Sequence, residues 1–105
     1  MHTIEWAAGL FEGEGTAYIA TGKYPRCRLK MTDEDVVLKF QEVMGCGTVH
    51  QYKGDCFSKP HHKTAWYWQI GSKKDVRNCL SNMLPYLGSR RAHKALDILD
   101  YIECN

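Results

Sequence analysis

Ten residues near the start of the chain, Ala7-Ala8-Gly9-Leu10-Phe11-Glu12-Gly13-Glu14-Gly15-Thr16, constrain its fold more than any other stretch. Ile4, Ala8 and Phe11 recur at the spacing of one helix face, so residues 2 to 12 read as a helix. Gly9 and Gly13 leave a second face of that helix almost without side chains. Gly13 and Gly15 are expected to stop it, because glycine accepts the left-handed conformation common at helix ends. Glu12 and Glu14 then sit at a helix C-terminus, where the macrodipole disfavours negative charge. Acids in that position need compensation, which a divalent cation would supply. The plainer alternative is a C-capped helix followed by two solvated glutamates.

The rest of the sequence alternates helix with paired strands. Thr16 to Thr21 alternates as a strand, with Ala17 and Ile19 on one face. Residues 22 to 25 form a turn, and Arg26 to Met31 a second strand. There Cys27, Leu29 and Met31 point one way and Arg26, Arg28 and Lys30 the other, the mark of an antiparallel pair with one face buried. Thr32 is expected to cap a second helix with Asp35 at its N3 position, and Gly45-Cys46-Gly47 to end it. Thr48 to Lys53 is a third strand, residues 54 to 64 a polar basic loop, and Ala65 to Ile70 a fourth strand. Trp66 and Trp68 share a face with Ile70 and read as core, although base-stacking platforms are the alternative. A third helix spans Lys73 to Leu84. A last one, capped by Ser89, runs to about Glu103 on an apolar stripe of Ala92, Ala95, Leu96, Leu99 and Ile102.

With 105 residues the chain suits one domain, 1–105, with one core. No apolar run approaches the ~20 residues that span a bilayer, and the N-terminus lacks the basic and apolar regions of a signal peptide. No membrane partner and an intracellular location, cytoplasmic or nucleoid-associated, are therefore expected. The five cysteines are odd in number and scattered, which fits reduced core thiols. Structural zinc on Cys46, Cys56, His61 and His62 is a rival, but no C-x-x-C knuckle or second ligand pair supports it.

A net charge of +2 identifies no partner by itself, but its distribution is informative. Residues 15 to 32 carry Lys23, Arg26, Arg28 and Lys30 and no acid; bases return at Lys53, Lys59 and Lys63. Bases concentrated in strands and their connections suit a sheet laid along a phosphate backbone, the alternative being solvated strand faces. On that reading the exposed strand positions Tyr18, Ala20, Arg26, Arg28, Lys30, Thr48, His50, Tyr52, Tyr67 and Gln69 would face a nucleic acid, which the family resemblance given below implies is DNA. Lys23, Lys53, Lys59 and Lys63, in turns and loops, hold phosphate without reading sequence.

The opening motif resembles the signature of the LAGLIDADG homing endonucleases, a small-Gly-apolar helix closing on acid-small-acid-Gly and followed by a strand. Gly9, Leu10, Glu12, Gly13, Glu14 and Gly15 fall in register, with Glu where Asp is commoner. Residues 31 to 37 with 45 to 49 look like the family's second helix and third strand. Leu84-Pro85-Tyr86-Leu87 followed by Arg90-Arg91 looks like its closing helical segment. The resemblance implies an α+β fold of order αββαββα, in which an antiparallel four-stranded saddle lies on double-stranded DNA.

It implies further that the second acid binds a metal ion. Carried over, the ligands are Glu14 and the backbone carbonyl of Gly13, with Glu12 a weaker candidate. The implied cofactor is Mg²⁺, with Mn²⁺ or Ca²⁺ able to substitute. One motif per chain implies a homodimer packed through Gly9, Glu12 and Gly13, cutting both strands of a long, partly palindromic site to leave short 3′ overhangs. Such enzymes spread their own intron or intein through microbial, phage or organellar genomes. The family's lysine near the scissile phosphate is replaced here by Arg90, with Arg91 next, and arginine can stabilise charge but cannot act as a base. The water-positioning residue has no unique counterpart; Asp33 is the nearest. The alternatives are a DNA-binding regulator that has lost catalysis and an RNA maturase on the same fold.

Overall fold

A computed structural model describes residues 3–52 and 65–104. Four helices and four strands follow in the order α1 (Ile4–Glu14), β1 (Gly15–Ala20), β2 (Tyr24–Met31), α2 (Glu34–Met44), β3 (Thr48–Tyr52), β4 (Ala65–Ile70), α3 (Lys73–Met83) and α4 (Ser89–Cys104). A short 3₁₀ turn, Leu84–Tyr86, joins α3 to α4. The fold is α+β, with one antiparallel sheet of strand order β1-β2-β4-β3. The expected αββαββα order holds. No helix among the described residues is long and apolar enough to cross a membrane.

The strand alternation read from the sequence is realised. Ala17, Cys27, Leu29, Trp68 and Ile70 are buried on the face covered by the helices, with Phe11, Val37, Phe40, Leu80 and Ile98 packed into the same core. Trp68 is fully buried, meets the Phe40 ring edge-on at 4.8 Å, and donates from Nε1 to the Cys46 carbonyl at 2.8 Å. It is core, as expected.

The end of α1 differs from expectation. The helix continues through Gly13 to Glu14, and Gly15 takes an extended conformation, φ −87° and ψ 161°, with its N–H donated to the Phe11 carbonyl. Neither glycine is left-handed, because the chain turns directly from the helix into β1. Glycine is needed at position 15 for space, since a Cβ there would overlap the Phe11 ring. Left-handed glycine does terminate α2, at Gly45 with φ 76°.

Two helix starts and one helix face also differ. Asp33, not Thr32, occupies the N-cap position of α2, and it makes no side-chain capping bond. Ser89 is the first residue of α4, while the Gly88 carbonyl accepts the N–H of Ala92. The buried stripe of α4 is Ala95, Ile98 and Ile102, whereas Leu96 is 52% exposed. The helix is thus rolled toward Ile98, which packs in the core.

Tyr101 near the end of α4 donates from its hydroxyl to the Lys23 carbonyl at 2.9 Å, tying the helix to the β1–β2 turn. Tyr101→Phe is expected to cost about 1 kcal/mol, read as a lowered urea midpoint with the slope unchanged.

The four described cysteines, Cys27, Cys46, Cys79 and Cys104, are free. Cys27 and Cys79 are buried, and the Cys46 and Cys79 sulfurs approach to 3.4 Å. Cys56, His61 and His62, the other members of the zinc alternative, lie outside the described residues. Burial, with a smaller contribution from Cys46, pushes the Cys27 thiol up from an ordinary 9.0 to about 12. Burial and the Cys46 hydrogen bond push Cys79 in the same direction. Above pH 9.0 the unfolded chain therefore sheds thiol protons that the folded one keeps. Stability is expected to fall as pH rises from about 9 towards 12, measured as a declining denaturant midpoint. At pH 8, alkylation followed by mass spectrometry should mark exposed Cys104 and spare Cys27 and Cys79 until the protein unfolds.

Candidate nucleic-acid interface and acidic centre

The sheet face opposite the helices presents polar side chains in rows set by the strand register. Thr16 pairs with Arg28, Arg28 with Gln69, and Gln69 with Thr48, giving one row across all four strands. Lys30, Tyr67 and His50 form a second row on β2, β4 and β3. Tyr18 and Arg26 form a third, on β1 and β2. Thr16, Lys30, Thr48 and His50 are exposed, and Tyr18, Ala20, Arg26, Arg28, Tyr67 and Gln69 half-buried. Ten strand positions are expected to contact DNA. The structure places nine of them together on this face; the side chain of Tyr52 lies outside the described residues. Lys23 stands exposed in the β1–β2 turn. Lys53, Lys59 and Lys63 lie outside the described residues.

The acidic motif lies at the margin of this face. Glu14, the last residue of α1, is exposed and lines a shallow groove with Lys30, Met31 and Thr32. Lys30 thus belongs both to the sheet face and to the surroundings of Glu14. Sequence alternation gave it the first position and had no means of showing the second. Asp33 is exposed at the head of α2.

Glu12 is oriented differently. Its Oε2 accepts the Gly88 N–H at 3.2 Å, and a Cβ at residue 88 would fall 2.7 Å from its Oε1. Glycine at 88 is what admits the carboxylate. Arg91 is half-buried beside it, donating from Nε to the Glu12 carbonyl at 3.0 Å and from Nη1 to the Gly15 carbonyl. One guanidinium thus serves two carbonyls at the junction of α1 and β1 and places a cation at the negative end of the helix. Arg91 supplies part of the compensation that acids at this helix end need. Arg90, one residue earlier, is exposed at the mouth of a cavity floored by Phe11, Ala17, Leu80 and Ala95 and rimmed also by Lys94.

Among the described residues, no three His, Cys, Asp or Glu side chains come together as a metal cluster. One chain offers the exposed carboxylate of Glu14 and, one residue earlier, a carbonyl in the last turn of α1. That donor set is all oxygen and small. It fits Mg²⁺, which keeps most of its waters and takes one or two carboxylates, and does not fit structural zinc.

Gly9 and Gly13 lie exposed on α1, and a Cβ at either would meet nothing within 4 Å. The fold of one chain therefore has no need of glycine at these positions, although glycine within a helix costs roughly 0.5–1 kcal/mol relative to alanine.

By sequence, no protein-family model and no curated protein matches this chain. By structure, it is similar to the homing endonuclease I-CvuI in complex with its target in the presence of Ca, at 19% identity and a TM-score of 0.76, over 95% of this chain and 65% of that one. The group I intron-encoded homing endonuclease I-CeuI, complexed with DNA, is similar at 15% identity and a TM-score of 0.73, over 95% and 53%. The LAGLIDADG meganuclease I-CpaMI, bound to uncleaved DNA, is similar at 14% and 0.76, over 98% and 38%. The chain therefore has the LAGLIDADG homing-endonuclease fold. It spans about two thirds of the length of I-CvuI and just over a third of I-CpaMI.

Proposed function

We propose that this chain is a site-specific DNA endonuclease that acts as a homodimer and hydrolyses phosphodiester bonds with the help of Mg²⁺. The observation that carries the reading is the position of Glu14 beside Lys30, at the edge of a sheet face whose rows present cations, amides and hydroxyls. DNA-bound structures of proteins with this fold support the same reading.

In this proposal the exposed strand residues enter the major groove, where arginine reads guanine and glutamine reads adenine. Lys23 holds phosphate from the β1–β2 turn. Glu14 and the Gly13 carbonyl would hold the ion, which would supply charge neutralisation at the phosphate and make a nearby water more acidic. Arg90 lends positive charge to the phosphate, as a fixed guanidinium with no role in proton transfer. Arg91 and Glu12 act through position, holding the end of α1 against Gly88 so that Glu14 emerges at the sheet margin.

The open face of α1 supports the dimer. A second copy packed on Gly9 and Gly13 would bring the two helices close and set two Glu14 carboxylates near the two-fold axis. Gly9→Ala is expected to raise the thermal stability of the isolated chain, because it adds helix propensity where no atom of the same chain is crowded. Gly9→Leu should leave the monomer folded while blocking the helix contact. Sedimentation of the protein with duplex DNA tests this: the wild type should run as a dimer and Gly9→Leu as a monomer. Equal association states for the two proteins would remove the helix face from the interface.

A further inference from the structure

Arg28 is held on the sheet face by a ring contact. Its guanidinium carbon stands 4.4 Å from the centre of the Tyr67 ring. Its Nε is shut off from solvent and has no hydrogen-bond partner among the described residues. Arg26, two residues earlier, is disposed differently, with Nη1 3.2 Å from where a Cβ on Gly71 would stand, at the end of β4.

The register accounts for the pairing. Arg28 lies opposite Gln69 and Lys30 opposite Tyr67, so Tyr67 is the diagonal neighbour of Arg28 across the central strand pair. The Tyr67 ring is braced in turn by His50, directly opposite on β3, with ring centroids 5.3 Å apart and planes tilted by 32°. His50 is itself tethered, its Nε2 lying 3.0 Å from the Thr48 hydroxyl. A continuous stack of Arg28, Tyr67 and His50 therefore crosses β2, β4 and β3.

A guanidinium lying on a ring keeps its in-plane N–H donors while losing rotamer freedom and part of its hydration. The donor fork matches the O6 and N7 acceptors of guanine in the major groove. A phosphate needs only charge within reach, which an exposed turn residue such as Lys23 supplies. A guanidinium held over a ring at the middle of a sheet has what a base edge requires.

We infer that Arg28 reads a guanine and that Tyr67 is the positioning residue that sets the plane of its guanidinium. The inference rests on the DNA-binding reading above and narrows it to one base contact. Lysine at 28 keeps the charge and loses the fork. Phenylalanine at 67 keeps the platform, and leucine removes it.

The test is selection of bound duplexes from a randomised library in the presence of Ca²⁺, for the wild type, Arg28→Lys, Tyr67→Phe and Tyr67→Leu. The wild type is expected to enrich guanine at one position of its half-site. Arg28→Lys should weaken that preference about ten- to hundred-fold, leaving the other positions and the salt dependence of binding unchanged. Tyr67→Leu should relax the same position, and Tyr67→Phe should preserve it. An intact guanine preference in Arg28→Lys overturns the inference, as does a Tyr67→Leu protein weakened equally on every sequence. A wild type that enriches no sequence removes the DNA-binding reading itself, and this inference with it.

Discussion

Glu14→Gln is expected to lower cleavage of a target duplex by on the order of 10³-fold, in line with the loss of a single pre-organised charge-stabilising group at other active sites. The substitution keeps side-chain length and removes only the charge that would hold a hard cation. Glu14 is exposed and ends its helix, so neither the core nor a buried hydrogen bond changes. Thermal stability should remain within about 0.5 kcal/mol of the wild type, and affinity for the same duplex in Ca²⁺ should change by less than the cleavage rate. Equal loss of binding and cleavage would make Glu14 a DNA contact, and unchanged cleavage would remove it from the centre. Single-turnover cleavage measured beside binding separates the three cases.

The second large effect is expected on stability. Arg91→Ala strips two backbone carbonyls, those of Glu12 and Gly15, of their charged donor at a half-buried helix end. Each unsatisfied group costs roughly 1–3 kcal/mol, so a total of about 3 kcal/mol is expected. For a domain of this size that lowers the melting temperature by roughly 10 °C or more. Arg90→Ala is the matched control: its exposed side chain should leave the melt nearly unchanged while slowing cleavage on the proposed role. A calorimetric scan of both variants reads the difference. If Arg91→Ala melts with the wild type, the clamp contributes nothing, and Arg91 becomes available to the phosphate.

These two arginines show where sequence reading stops. Adjacent in the chain, both read from sequence as phosphate partners. What divides them is a pair of contacts to residues 76 and 79 positions away. No local pattern encodes such a contact. The rows of the sheet were more legible. Alternation of Cys27, Leu29 and Met31 with Arg26, Arg28 and Lys30 assigns faces because one face must be dry. The neighbours across those rows were hidden, since β2 pairs with β4 in a crossed strand order. The stacking of Arg28 on Tyr67 follows from that pairing alone.

The end of α1 was misjudged for a related reason. Glycine at 15 suggested a left-handed cap, whereas its role is to clear the Phe11 ring. In α4, Leu96 and Ile98 belong to two overlapping apolar stripes, and packing chose the one with Ile98. Local chemistry supplied the candidates in each case, and tertiary contact decided among them.

The proposed activity is tested most directly by incubating the protein with a randomised double-stranded DNA library in Mg²⁺ and sequencing every new end. The account predicts a discrete set of cut sites, paired across the two strands about a two-fold centre and absent when the metal is chelated. An end profile identical with and without chelator would contradict it, leaving the sheet as a surface that binds DNA without cutting it.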